Sequence, residues 1–261
     1  MKKNLWVLYL LTFIFSHLIY AGDAEEKGLA IAKERKLRDK GWGDLQAEMV
    51  MTLRNKHGQE SIRQIRIKNL EVTGDGDKAL SIFDEPRDVK GTAFLNFSHV
   101  KGNDDQWLYL PALKRVKRIS SRNKSGPFMG SEFSYEDLSS YEIEKYSFKF
   151  IGEQKCGDLD CFKIESKPLY KHSGYTRMES LIDKGEYRVQ QIDFYDRKNS
   201  HLKTLTFSDY KQYKNKFWRA NHFNMINHQT GKSTRLDWLN YRFSTGLDDK
   251  DFNKSSLKRL R

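Results

Sequence analysis

The stretch Asp104-Asp105-Gln106-Trp107-Leu108-Tyr109-Leu110-Pro111 decides the fold. In a strand, successive side chains point to opposite faces. Trp107 and Tyr109 therefore face one way, and Leu108 and Leu110 the other. A sheet with one wet face would alternate apolar with polar residues; here both faces are apolar. Phe94 likewise opposes Ala93, Leu95 and Phe97, and Val50 opposes Met49, Met51 and Leu53. Later segments such as 233–243 carry more polar positions. The pattern predicts a sheet covered on both sides over part of its area.

Working outward, runs rich in Val, Ile, Thr and aromatic residues recur between turn signals. They predict strands near 44–55, 60–72, 79–84, 91–97, 105–110, 114–119, 146–154, 159–167, 175–183, 187–195, 201–210, 216–226 and 233–243. Gly74-Asp75-Gly76-Asp77, Gly102-Asn103 and Asp183-Lys184-Gly185 are among the turns. Many antiparallel strands and few helices predict one large sheet, curled or closed. A helix is expected over 23–40, with Asp23, Glu25 and Glu26 at its positive end and Lys36, Arg38 and Lys40 at its negative end. Its apolar face would be Leu29, Ala30, Ala32 and Leu37, with Ile31 to one side. Between strands, Ser134-Tyr135-Glu136-Asp137 reads as a short capped helix, with Phe133 and Leu138 at hydrophobic-staple spacing. Ser125-Gly126-Pro127-Phe128-Met129-Gly130 precedes it as a flexible tether. Such a helix fits a lid over a concave sheet, and equally a crossover helix packed on the core.

The chain has 261 residues, 38% of them apolar and 13% aromatic, enough for a real core. Mean hydropathy is −0.79, which excludes a polytopic membrane protein. Lys2 and Lys3, the apolar run Leu5 to Tyr20, and the small residues Ala21, Gly22 and Ala24 have the layout of a secretory signal peptide. Cleavage is expected after Ala21, with Ala24 as the alternative site and an uncleaved anchor as the alternative state. This divides the chain into a leader, 1–21, and one domain, 22–261. The net charge of +12 favours anionic partners, and export argues against nucleic acid among them. Cys156 and Cys161 are the two cysteines. Their spacing around Gly157-Asp158 reads as a disulfide across a β-turn; a redox pair or half a metal site would prefer C-x2-C.

Several stretches together resemble the LolA-like outer-membrane lipoprotein-sorting proteins, over nearly the whole chain after the leader. The strongest runs from Asp104 to Ile119 and continues through Ser125 to Ser131 and Tyr135-Glu136-Asp137-Leu138. Phe83-Asp84-Glu85-Pro86, Gly91-Thr92-Ala93, Asn227 to Lys232 and Asp251-Phe252 also fit. The resemblance implies a mainly β (α+β) fold: a half-open antiparallel β-barrel with an N-terminal helix and a short helical lid. It implies an apolar concavity for acyl chains, and a carrier moving lipids or lipoproteins from an inner-membrane transporter to an outer-membrane acceptor. The alternative on the same fold is a non-carrying sensor or accessory protein of a membrane lipid exporter. The arginine with which LolA latches its lid finds no match here.

No nucleophile elbow, H-E-x-x-H or phosphate-binding loop occurs, so no enzyme, metal or cofactor is expected. Asp104 and Asp105 point to opposite faces and read as turn residues. Phe94, Trp107, Tyr109, Phe128, Met129, Phe133 and Leu138 are the expected lining or lid. Lys114, Arg115, Lys117 and Arg118, with Arg122 and Lys124, form a basic surface suited to anionic head groups or an acidic membrane partner, or simply a solvated face.

Overall fold

A computed structural model describes residues 5–259, with side chains from Gly22 onward. The expected leader lies outside the described side chains. Thirteen strands form: β1 (Asp44–Arg54), β2 (Glu60–Leu70), β3 (Lys78–Glu85), β4 (Ala93–Phe97), β5 (Asp105–Leu110), β6 (Arg115–Ile119), β7 (Tyr146–Cys156), β8 (Leu159–Pro168), β9 (Tyr175–Asp183), β10 (Val189–Asp196), β11 (His201–Tyr213), β12 (Phe217–Asn227) and β13 (Ser233–Phe243). Each lies within a few residues of the run its β-branched and aromatic content predicts. All join one antiparallel sheet, ordered β6-β5-β4-β3-β2-β1-β13-β12-β11-β10-β9-β8-β7. β6 and β7 are its free edges, so the sheet is open, in keeping with a half-barrel and not a closed one.

The sheet is strongly curled. The Tyr135 ring meets that of Phe94 on β4 at 5.6 Å, tilted by 53°, and its neighbour Ser134 reaches the Tyr175 hydroxyl of β9 at 3.1 Å. β4 and β9 stand eight places apart in the sheet order. At about 4.8 Å per strand they would be about 38 Å apart in a flat sheet. One short segment touches both because the sheet wraps around it.

Pairing register sorts the side chains. Phe94 pairs with Leu108, Leu95 with Trp107 and Ala93 with Tyr109. Phe94 and Leu108 face inward, into a cluster with Met49, Met51, Ile65, Phe83, Leu205, Met225 and Leu236. Leu95 and Ala93 face outward with Leu80 and Ile82, where Phe252 and Leu257 of the C-terminal segment cover them. The two-sided covering expected from the 104–111 stretch is present.

One helix, α1 (Leu5–Arg38), packs on β7. It starts well upstream of the expected residue 23, so the acidic residues Asp23, Glu25 and Glu26 do not mark its beginning. Its buried stripe also differs from expectation: Gly28, Ile31 and Ala32 are covered, while Ala30 and Leu37 are exposed. Gly28 fixes the contact. A Cβ there would lie 2.7 Å from the Lys149 carbonyl carbon and the Phe150 nitrogen, so the helix backbone rests directly on the strand. Ile31 and Ala32 then fall against Phe148, Ile164 and Ile182. Cys156 and Cys161 are joined at the β7–β8 turn, Cα atoms 6.0 Å apart.

Candidate functional site

The chain between the two free edges, residues 120–145, crosses the inner face as a cover. It has no long helix. Single 3-10 turns occupy Phe128–Gly130, Tyr135–Leu138 and Ile143–Lys145. The expected lid helix is thus one turn, with Asp137 closing its first residues by accepting from the Ser134 nitrogen at 2.7 Å. Phe128 and Phe133 are fully buried. Phe128 lies 5.1 Å from Phe94 and 5.9 Å from Phe83. Phe94, Phe128, Met129, Phe133 and Leu138 therefore meet in one apolar cluster on the inner face. Trp107 and Tyr109 do not join them. The alternation that buries Leu108 inside sends both outward, beneath the C-terminal segment.

Apolar contact alone does not hold the cover. Lys203 Nζ, on the inner face of β11, donates to Asp137 at 2.7 Å and to the Glu132 carbonyl at 2.8 Å. Both charged groups are almost wholly buried. The Tyr175 hydroxyl donates to Asp137 at 2.7 Å. Glu136 accepts from the Ser173 hydroxyl and the Gly174 amide; burial raises its carboxyl above the usual range. Arg63 on β2 donates to the Met129 carbonyl at 2.5 Å. At the far end Asp104 pairs with Lys145 and accepts from Ser139, with Lys124 3.9 Å away. Asp104 is thus a buried anchor of the cover, not only the turn residue expected. Lys36 of α1 binds Glu142, tying cover to helix. Buried ion pairs of this kind add little net stability but are costly to break on one side.

Beside the cover, the middle of the sheet carries a half-buried aromatic run on the inner face. Phe207 meets Phe223 at 4.8 Å, Phe223 meets Trp238 at 5.6 Å, and Trp238 stacks on Tyr241 at 5.8 Å. Trp238 and Tyr241 share a face despite their odd spacing. A bulge opposite Gln46 and Glu48, with Asn240 at φ 54°, adds one residue between them. Among the described residues the Trp238 indole N–H has no acceptor.

Lys114, Arg115, Lys117 and Arg118 lie on the β5–β6 hairpin, exposed along the free edge. Pairing with Leu108 and Trp107 puts Lys117 and Arg118 on opposite faces, so the cations do not form one plane. Arg118 is engaged by Asp105.

The crystal structure of a domain from Vibrio parahaemolyticus, provisionally described as an outer membrane lipoprotein-sorting protein domain, is 62% identical, with a TM-score of 0.89, over 90% of this chain and 100% of that one. The chain belongs to the LolA-like outer-membrane lipoprotein-sorting family. A family model described as uncharacterized-protein-like matches residues 75–259. A DUF1329 family protein from Desulfovibrio piger is similar at 29% identity and TM-score 0.85, over 90% of this chain and 99% of that one. A LolA superfamily protein from Nitrosomonas europaea shares the fold, at 17% identity and TM-score 0.67, over 90% and 98% of the two chains. A search of the curated proteins returns no match.

Within this LolA-like chain, sequence reading missed Arg63, Lys203, Glu136 and the aromatic run. Lys203 had a signal: it shares strand parity with Leu205 and Phe207, placing a cation on an apolar face. The Trp238–Tyr241 stack had none, because the bulge breaks the parity on which such reading depends.

Proposed function

We propose that the protein is a periplasmic carrier that shelters acyl chains of lipids or lipoproteins on the inner face of its half-barrel and passes them towards the outer membrane. The half-buried aromatic run in mid-sheet carries this reading. A self-contained core would not leave Phe223, Trp238 and Tyr241 half covered along one face of the sheet. The cover is the movable part. Side chains, polar and apolar, hold it to the sheet, so opening it breaks no strand pairing. Lifting Phe128 and Phe133 exposes two aromatic side chains at about 1.5–3 kcal/mol each. An acyl chain entering in their place returns about 0.8 kcal/mol per buried CH2. Exchange of side chain for lipid offsets the apolar part of that cost, and separation of the buried Lys203–Asp137 pair adds to it. Residues 1–21 act as the cleaved leader, and the basic hairpin faces an anionic membrane or an acidic partner.

A second reading, a non-carrying sensor or accessory protein of a membrane lipid exporter, draws on a different observation. Two clefts, of about 590 and 760 Å³, lie away from the aromatic run, while Phe83, Phe94 and Phe128 fill the cover end of the hollow. Photo-crosslinkers at Phe223, Phe128 and, as the outward-facing control, Trp107 separate the two. A carrier yields lipid adducts from Phe223 and Phe128 but not Trp107. Absence of lipid from both inner positions, together with no co-purifying lipid by native mass spectrometry, would rule the carrier out.

A further inference from the structure

A cleft of about 590 Å³ opens where the curled sheet fails to meet itself. The β4–β5 loop forms one wall, with Val100, Lys101 and Asn103. The β8–β9 loop forms the other, with Leu169, Lys171 and His172. The cover's Glu144 and Lys145 lie between. Lys101, Lys171 and His172 are exposed, and Glu144 is the one carboxylate in the lining. Lys145 is already engaged by Asp104. Lys124, buried behind, lies 3.8 Å from the Tyr170 ring. The two rim lysines hold no carboxylate among the described residues. His172 sits at φ 70°, an uncommon conformation for a side chain beyond glycine, and it puts the imidazole at this rim. Leu169 is 65% exposed on the same wall. Lysines on facing walls of one cleft, beside a protruding apolar side chain, fit an anion attached to hydrocarbon.

We infer that this seam cleft binds a phosphate-bearing group, with Lys101 and Lys171 as its ligands and His172 as a further donor. The site is separate from the acyl-chain hollow and does not depend on the carrier reading. A lipid head group and free phosphate share this chemistry.

Nuclear magnetic resonance titration of the purified protein tests it, with dihexanoyl phosphatidylglycerol below its micelle concentration and inorganic phosphate as probes. The expected result is shifts at the amides of Val100, Lys101, Lys171 and His172. Affinity should fall at least tenfold in the Lys101→Ala/Lys171→Ala variant and less than twofold in Lys155→Ala, an exposed lysine at the distant β7–β8 turn. Tighter binding of the short-chain lipid identifies the head group as the ligand, and equal binding identifies free phosphate; either supports the site. No shift at the cleft with either probe, or equal affinity in Lys101→Ala/Lys171→Ala, overturns it.

Discussion

Asp77 and Lys203 show how much one buried charge decides. Burial, aided by the nearby Glu142 and Glu71, lifts the Asp77 carboxyl from its ordinary 3.8 to about 6. The folded chain therefore binds this proton more tightly than the unfolded one. Stability falls as pH rises from about 4 to about 6, and the loss persists above. Asp77→Asn keeps an acceptor for the Val72 amide and should stabilise the protein by about 1–2 kcal/mol at pH 7.5, with no gain at pH 3.5. Urea denaturation at the two pH values measures this, and an equal effect at both would contradict the assignment. Lys203→Met leaves Asp137 buried without its cation, a cost of about 3–5 kcal/mol. Adding Asp137→Asn should recover part of that loss, because the orphaned charge is removed; a double variant no more stable than the single would show that the pair is not coupled. Asp137 was legible from the Ser134 capping pattern. Its partner lies 66 residues away, and no local rule pairs them.

Elements were legible wherever periodicity is local. The strands follow from alternation and turn chemistry, and the cysteine bridge from spacing across a turn. The face α1 buries was not, because it is chosen by the strand it meets. Gly28 presses on Lys149 and Phe150, and this close approach rotates Ile31 inward and leaves Leu37 62% exposed. Gly28→Leu should push α1 off β7 and cost about 1–3 kcal/mol by overpacking. Leu37→Ala, at the exposed position, should change stability by less than about 0.5 kcal/mol. Thermal unfolding of both variants checks the ranking, and a Leu37 variant as damaged as the Gly28 one would contradict this docking.

At the scale of the whole molecule, the cover and the sheet should respond differently to lipid. Addition of short-chain phospholipid should speed amide hydrogen exchange across 126–139 by at least tenfold and leave β1 and β2 protected. Uniform protection of both would mean that the cover stays shut. The open half-barrel came from family resemblance, since strand patterns alone allowed a closed sheet. Nothing local shows that β1 pairs with β13, Met51 against Leu236. That central pairing joins β1–β6 to β7–β13, two meanders otherwise bridged by the cover, by α1 on β7 and by the C-terminal segment on β3 and β4. It has a consequence for biogenesis. Until residues 233–243 emerge, each meander presents a raw inner edge, and assembly must wait for the final strand. Such long-range pairing is slow, so under the export proposed above the chain would stay threadable until its last strand arrives.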